Sequence, residues 1–326
     1  MSVKDEILNI FESNIGKFQS GEELAEALGV SRNAVWKAVK QLESDGYKFE
    51  AVSGKGYRLM ENNDVLSEGG IRKYLGRRSD KVNLHVYKTI SSTNTVLKEM
   101  AADGAPEGTV LVSAEQTAGR GRMNRKFYSP TGSGLYMSIL LRPKFSAKES
   151  LFITTAAAVA VAQVIEEVSG KATGIKWVND VFIGEKKICG ILTEASLDIE
   201  GGGLEYAVCG IGINLSEPKG GFPDEIKDTA TSVFGASQPP ADVKNRIAAG
   251  VINHFCEYCE NLSQHTFFDE YVRRSVIIGR DIMVLGSGEP RKAHALSIDP
   301  NCNLRVAFED GAQTSLSSGE VSIRCL

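Results

Sequence analysis

Gln116 to Lys126 reads QTAGRGRMNRK, a glycine-bearing run in which Arg120, Arg122, Arg125 and Lys126 crowd together with no acidic neighbour inside it. Guanidinium forks match phosphate and carboxylate oxygens, and the small Gly119 and Gly121 let the backbone come close to a ligand, so the run suits an anion. It fits neither the P-loop pattern nor GxGxxG, because position 124 is Asn and no Gly-Lys-Ser/Thr follows. Ser91, Ser92, Thr93 and Asn94 fall at a strand-to-helix turn, where hydroxyls cap the helix or bind a polar ligand. Lys176, Trp177, Asn179 and Asp180 close a strand, and Lys187 with Gly190 begins the next. Lysine, asparagine and aspartate at strand ends suit Mg-nucleotide chemistry, although the same types serve as plain turn residues.

Other constellations offer less. Cys256 and Cys259 form a lone CxxC inside an expected helix, without a second pair at zinc spacing, so no permanent metal site is expected. The histidines His85, His254, His265 and His294 lack a nucleophile elbow, since GxSxG is absent. Gly201 to Gly203 reads as a hairpin turn.

The elements that would position these residues follow from periodicity. From about Val82 to Ser275 strand-like runs (VNLHVYKTI, TVLVSAEQ, GLYMSILLR, KATGIKWV, KICGILTEASLD, LEYAVCGIGINL) alternate with helical ones, including a long helix at 147–169 and another near 240–262. That order is α/β or α+β. From Val276 onward short strands alternate with turns at Gly286, Gly288, Pro300 and Gly311, which predicts a small β-barrel.

The first sixty residues have their own pattern. Val3, Ile7, Phe11 and Ile15 recur at helical spacing, as do Leu24, Ala27 and Leu28 before Gly29. Ser31 is a good N-cap for a third helix with Val35, Ala38, Val39 and Leu42 on one side and Asn33, Trp36, Lys37, Lys40 and Gln41 on the other. YKFEAV, SGKG and YRLM then read as a hairpin with Lys55 at its tip. Net charge is −4 over residues 1–30 and +3 over residues 31–60. Together these describe a winged helix-turn-helix whose third helix, with Ser31, Arg32, Asn33, Trp36, Lys37 and Lys40, enters the major groove while Lys55 touches backbone. The polar string ENND at 61–64 reads as a linker.

At 326 residues and 42% hydrophobic the chain can bury a substantial core. Its net charge of −4 excludes a uniformly basic nucleic-acid coat but leaves room for a local one. The charged amino terminus does not read as a secretory signal. The most apolar stretch, Leu151 to Ala162, is twelve residues against the roughly 20 a membrane span needs, so a buried helix and no membrane partner are expected. Six cysteines suit a reducing compartment, with free thiols and a cytoplasmic location expected.

The ordered set of winged helix, SSTN at 91–94, QTAGRGR at 116–122, KWVND at 176–180, KKICGIL at 186–192 and GIGIN at 210–214 resembles the bifunctional biotin protein ligases that double as biotin operon repressors, over essentially the whole chain. The resemblance implies a multidomain α+β protein: a winged helix-turn-helix at 1–62, a class II synthetase-like α/β ligase domain with a mixed sheet at 63–275, and an SH3-like β-barrel at 276–326. It implies that biotin and ATP, with Mg²⁺, give biotinyl-5′-AMP and pyrophosphate, and that biotin then passes to a lysine of a carrier domain of acetyl-CoA carboxylase and pyruvate carboxylase. The attacking group is biotin's own carboxylate, so no protein nucleophile is needed.

Carried onto this sequence, the resemblance assigns Ser92, Thr93, Asn94 and Gln116 to the polar end of the biotin pocket and Arg120, Gly121 and Arg122 to a loop ordering over the adenylate. Lys187 becomes the cation between biotin carboxylate and α-phosphate, and Asn179, Asn214 and Trp177 fall on the nucleotide side. Asp180 either orients the carrier lysine, accepts its proton or helps hold Mg²⁺. The adenylate would also act as corepressor, promoting a homodimer that grips operator DNA. Departures from the family pattern are Val178 where proline is common, Met123 and Asn124 in place of Arg and Gly, and Phe127 in place of Trp.

Overall fold

The structure, a computed structural model, describes residues 2–61, 63, 65–143, 150–197, 203–285, 289–317 and 320–322. Several expectations lie outside the described residues: Asn62 and Asp64 of the linker, the start of the long helix at 147–149, Gly201 and Gly202, Gly286 and Gly288, and the end of the last strand at 323–326. The chain divides into two compact units, residues 1–77 with 239–249, and residues 78–238 with 250–326.

In the first unit, α1 (Val3–Ser13), α2 (Gly21–Leu28) and α3 (Arg32–Ser44) precede the hairpin β1 (Phe49–Val52) and β2 (Gly56–Leu59). Each helix starts on a serine that offers its hydroxyl oxygen to a first-turn amide: Ser2 to Asp5, Ser20 to Glu22 and Ser31 to Ala34. Gly29, at φ +64°, ends α2 in the left-handed conformation that glycine adopts without cost. Ile7, Phe11, Leu24, Val35, Val39 and Leu42 form the shared core. Phe49 pairs with Leu59 and Val52 with Gly56, which gives the wing its register. A short α4 (Glu68–Leu75) follows, capped by Ser67.

The second unit is built on a seven-stranded sheet. Its elements in chain order are β3 (Asn83–Tyr87), α5 (Thr93–Ala102), β4 (Thr109–Ser113), β5 (Gly134–Leu141), α6 (Ser150–Ser169), β6 (Gly174–Lys176), β7 (Asp180–Ile183), β8 (Lys186–Leu197) and β9 (Leu204–Asn214). The spatial order is β3-β4-β5-β9-β8-β7-β6; β3 and β4 are parallel and the remaining ladders antiparallel, so the sheet is mixed. α5 makes the crossover between the parallel pair and buries Leu97 and Ala101 against Leu111, Leu140 and Val208. α6 covers the opposite face, where Thr154 Oγ1 lies 2.7 Å from Thr193 Oγ1. It is long and apolar enough to span a membrane, but its run from Phe152 to Ala162 is buried within the domain, making it a core helix.

Helix α7 (Val243–Glu260) starts in the first unit and continues in the second, followed by α8 (Phe268–Arg273). Beyond it, β10 (Asp281–Leu285), β11 (Arg291–Ile298), β12 (Leu304–Phe308), β13 (Gln313–Leu316) and β14 (Glu320–Ser322) form an antiparallel sheet in the order β13-β12-β11-β10-β14. The expected SH3-like barrel is not confirmed: among the described residues these strands form no closed barrel. Closure needs hydrogen bonds between the two edge strands, and no β13 to β14 ladder exists among the described residues. Cys189, Cys209, Cys256, Cys259 and Cys302 are free thiols.

Candidate functional site

A cleft of about 600 Å³ opens on the α5 face of the large sheet. Strand periodicity makes its floor: Gly190 and Leu192 on β8 lie on the same side as Gly210, Gly212 and Asn214 on β9, with Gly190 opposite Gly212 and Leu192 opposite Gly210. The intervening Ile211 and Ile213 are buried. A methyl group at Gly212 would come within 2.6 Å of Phe127 Cε1, and one at Gly190 within 3.0 Å of Lys187 Nζ. Glycine is therefore what lets the Phe127 ring and the Lys187 stem lie on the strands.

One end of the cleft is uncharged and polar. Ser92 caps α5 by accepting from the Thr95 amide at 3.4 Å, which places Thr93 and Asn94 at the helix start, both buried. Gln116 Oε1 accepts from Thr93 N at 2.9 Å and Thr93 Oγ1 at 3.2 Å, while its Nε2 donates to Ser129 Oγ at 3.1 Å. Ser138, wholly buried in mid-β5, lies 2.7 Å from Thr93 Oγ1 and 2.6 Å from Asn94 Oδ1. Donors and acceptors of this group are mutually fixed, so their orientations are set before a ligand arrives.

Cations gather farther along. Lys187 Nζ lies 2.7 Å from Asp180 Oδ1 at angles outside hydrogen-bond geometry, so the contact is Coulombic. The backbone of Lys187 is held on both sides: its N–H donates to Thr229 O at 2.9 Å and its carbonyl accepts from Thr231 N at 2.8 Å. Arg122 Nη1 donates to Asn179 Oδ1 at 2.8 Å, and Asn214 Nδ2 donates to Thr231 O at 3.1 Å. Arg120 Nη1 lies 3.4 Å from Glu194 Oε1. Burial, the largest influence on Glu194, pushes its carboxyl up; hydrogen bonds from Lys98 and Asn94 and the charges of Lys98 and Arg120 outweigh it and hold the group below its ordinary value.

The arginine loop closes on itself through Phe127 N to Gly119 O at 3.0 Å and Gly121 N to Arg125 O at 2.7 Å. Its tip, Met123 and Asn124, takes φ of 53° and 59°. Asparagine tolerates that left-handed region and methionine does so poorly.

Ser92, Thr93, Asn94, Gln116, Arg120, Gly121, Arg122, Asn179, Asp180, Lys187 and Asn214 all border this one cleft. Trp177 does not: its ring is buried and its Nε1 donates to Cys302 O at 2.9 Å, which fastens the β6–β7 turn to the C-terminal strands. The nucleotide-side position that the resemblance assigned to Trp177 is corrected by that bond. Sequence reasoning also missed Ser138, Lys98 and Glu194. A signal existed for Glu194, since counting by two from Gly190 along β8 places it on the cleft side.

In the first unit, Arg32, Asn33, Trp36, Lys37 and Lys40 lie exposed along α3, with Trp36 at 47%. The Ser31 hydroxyl is engaged as the cap, and Lys40 Nζ pairs with Glu43 at 2.6 Å. Lys55 on the wing sits 5.9 Å from the Phe18 ring centroid.

Residues 86–214 match the biotin/lipoate A/B protein ligase family, and residues 4–58 match an HTH domain. The chain is 42% identical over 255 residues to the bifunctional ligase/repressor BirA of Bacillus subtilis, covering 78% of this chain and 76% of that protein. It is 33% identical over 201 residues to the Escherichia coli protein of the same name, covering 62% and 60%. The biotin protein ligase of Aquifex aeolicus, solved in complex with biotin and ATP, superposes with a TM-score of 0.62 at 29% identity, over 74% of this chain and 98% of that one.

Proposed function

The chain belongs to the biotin protein ligase family, and with that as premise we propose how its own residues divide the work. The protein is an ATP-dependent, AMP-forming biotin protein ligase that makes biotinyl-5′-AMP and transfers biotin to a lysine of a biotin carboxyl carrier protein. It is also a biotin-responsive transcriptional repressor of biotin-synthesis genes.

In our reading the ureido end of biotin meets Thr93, Asn94 and Gln116, and Ser92 sets the helix start that carries them. The biotin carboxylate then points toward Lys187. A carboxylate oxygen attacks the α-phosphorus, the bond to the bridging oxygen breaks, and pyrophosphate leaves with its electron pair. Lys187, Arg120 and Arg122 offset the charge shared by the carboxylate and phosphate, where a fixed cation in a partly dry cleft is most effective. Gly121 lets the loop backbone approach. Asn179 and Asn214 border the nucleotide. In the second step the carrier lysine's neutral amine attacks the mixed-anhydride carbonyl and AMP departs; Asp180 orients that amine and takes its proton.

Mg²⁺ enters with ATP as its phosphate complex. Among the described residues no group of three His, Cys, Asp or Glu side chains is placed to hold a metal. ATP and biotin are the substrates and biotinyl-5′-AMP the intermediate.

For the repressor half, α3 and the wing present Arg32, Asn33, Trp36, Lys37, Lys40 and Lys55 to DNA, with Ser31 fixing the helix start. A lone module of this size binds weakly, so the adenylate acts as corepressor by favouring a homodimer that engages two operator half-sites. Acetyl-CoA carboxylase and pyruvate carboxylase carriers, a cytoplasmic location, and domain bounds of 1–62, 63–275 and 276–326 complete the proposal.

The observation that carries it is the co-location of an uncharged, pre-oriented polar pocket and a cationic cluster in one cleft. Transfer of radiolabelled biotin to a carrier domain with ATP and Mg²⁺ tests it. Label on the carrier lysine is expected, and no label would refute the ligase reading.

A further inference from the structure

Arg120, on the loop that covers the reactants, already has an anion beside it. We infer that Glu194 is a positioning residue of the adenylation site: it holds Arg120 in the ligand-free cleft and yields that guanidinium to the anionic substrates as they bind. The inference rests on the ligase reading given above.

Glu194 lies on β8, two and four residues beyond Leu192 and Gly190, and therefore projects from the same side of the sheet as the cleft floor, next to Asn94 and Arg120 of the cleft wall. Its two oxygens have different partners. Oε2 accepts from Asn94 Nδ2 at 3.0 Å, whereas Oε1 takes Lys98 Nζ at 2.7 Å and Arg120 Nη1 at 3.4 Å. The first contact fixes an amide. Because a carboxylate and the Leu192 carbonyl, 3.1 Å from Asn94 Nδ2, can only accept, both draw the Asn94 NH₂ group toward β8 and leave Oδ1 for Ser138. Asn94 thus keeps one orientation beside the biotin pocket.

The second contact concerns the loop. Lys98 is the nearer cation and Arg120 the farther one, and the Arg120 side chain is 40% exposed while that of Glu194 is 19% exposed. The arginine is the exchangeable member. When the carboxylate of biotin and the α-phosphate arrive, Arg120 trades one anion for others, and Lys98 remains to compensate Glu194, so no buried carboxylate is stranded. A plain clamp between α5 and β8 would need only Lys98 and Glu194, which supplies the control.

The test uses the full-length protein in two assays. Limited trypsin digestion reports opening of the loop at its Arg and Lys bonds, and biotin-dependent pyrophosphate exchange reports adenylation. Glu194→Gln is expected to speed loop cleavage about tenfold without ligand, to regain protection with biotin plus ATP, and, because the contact surrendered on binding is already gone, to lower the KM for biotin about fivefold with kcat within about twofold. Lys98→Gln leaves Arg120 as the cation on Glu194, so its loop cleavage without ligand should be no faster than wild type. Should Glu194→Gln not fold, Glu194→Asp, which withdraws the charge by one methylene, carries the same expectation. Wild-type behaviour of the Glu194 variant, or identical defects in both variants, would overturn the inference. A wild-type protein without biotin-dependent exchange would instead overturn the ligase reading itself.

Discussion

Arg122 and Asn179 are joined by a 2.8 Å hydrogen bond, and Asn179 is in turn held by Ile191, donating from Nδ2 to its carbonyl at 2.9 Å and accepting from its amide at 3.0 Å. The arginine loop is thereby fastened to the β6–β7 turn through a side chain whose direction β8 has already fixed.

Replacing Arg122 by lysine keeps the charge and loses the fork. A charge-assisted hydrogen bond contributes about 1.5–3 kcal/mol, so Arg122→Lys should slow adenylate formation by roughly 10- to 100-fold. The melting temperature should stay within about 1 °C, because the loop adds little to the core. Single-turnover formation of biotinyl-5′-AMP measures the first quantity and calorimetry the second. A large fall in melting temperature would show that the bond serves stability instead.

The bare floor of the cleft makes a sharper test. Gly212→Ala puts a methyl against the Phe127 ring, and overpacking of this kind costs about 1–3 kcal/mol. Both stability and adenylation should fall. Adding Phe127→Ala should restore the stability, because it removes the group that is struck. An additive loss in the double variant, read by denaturant unfolding, would mean that the two positions do not touch.

What the sequence disclosed, and what it hid, follows from the range of each interaction. Ser31 with Val35, Ala38, Val39 and Leu42 signalled α3 because a cap and a helical stripe are local. GIGIN signalled a strand with one bare face for the same reason. Ser138 was not legible: within GLYMSILL it looks like any small residue, and its importance comes from Thr93 and Asn94, 45 and 44 positions away. Trp177 was misplaced because its partner, Cys302, lies 125 residues downstream. The C-terminal strands were visible as strands, but closure depends on which edges meet, and alternation carries no information about that. The gathering of Gln116, Lys187 and Asn214 in one cleft came from an ordered set of motifs, whereas their separate spacing does not imply it.

On the DNA side, the two lysines of α3 are not equivalent. Lys40 is paired with Glu43, while no comparable ion pair for Lys37 is seen among the described residues. Lys37→Ala should therefore weaken operator binding more than Lys40→Ala does. Removing one charge that neutralises a DNA phosphate should lower the salt slope of log K by about 0.9. Biotin transfer should be unchanged in both. Gel-shift titrations at several salt concentrations decide it, and a larger effect from Lys40→Ala would contradict the account.

Acid–base linkage gives a stability prediction in the first unit. Burial, the largest influence, raises the Glu12 carboxyl above its ordinary value; hydrogen bonds from Ser67 and Gly69 oppose the rise and the charge of Glu68 adds to it. A raised native pKa means that the folded state binds the proton more tightly. The contribution is fully present below the unfolded value of about 4.3 and is lost as pH climbs through the native one. Glu12→Gln, which keeps an acceptor for Ser67, should then raise the melting temperature at pH 7.5 and leave it unchanged at pH 4. Thermal scans at the two pH values check it; an equal shift at both would contradict the sign.

The central claim is that one cleft aligns biotin and ATP around the Lys187 ammonium group. Exchange of labelled pyrophosphate into ATP, with and without biotin, tests it most directly in the wild type and in Lys187→Ala. The account predicts biotin-dependent exchange in the wild type and a loss of roughly 100- to 1,000-fold in the variant with its fold intact. Exchange that ignores biotin, or that persists near the wild-type rate without Lys187, would contradict it.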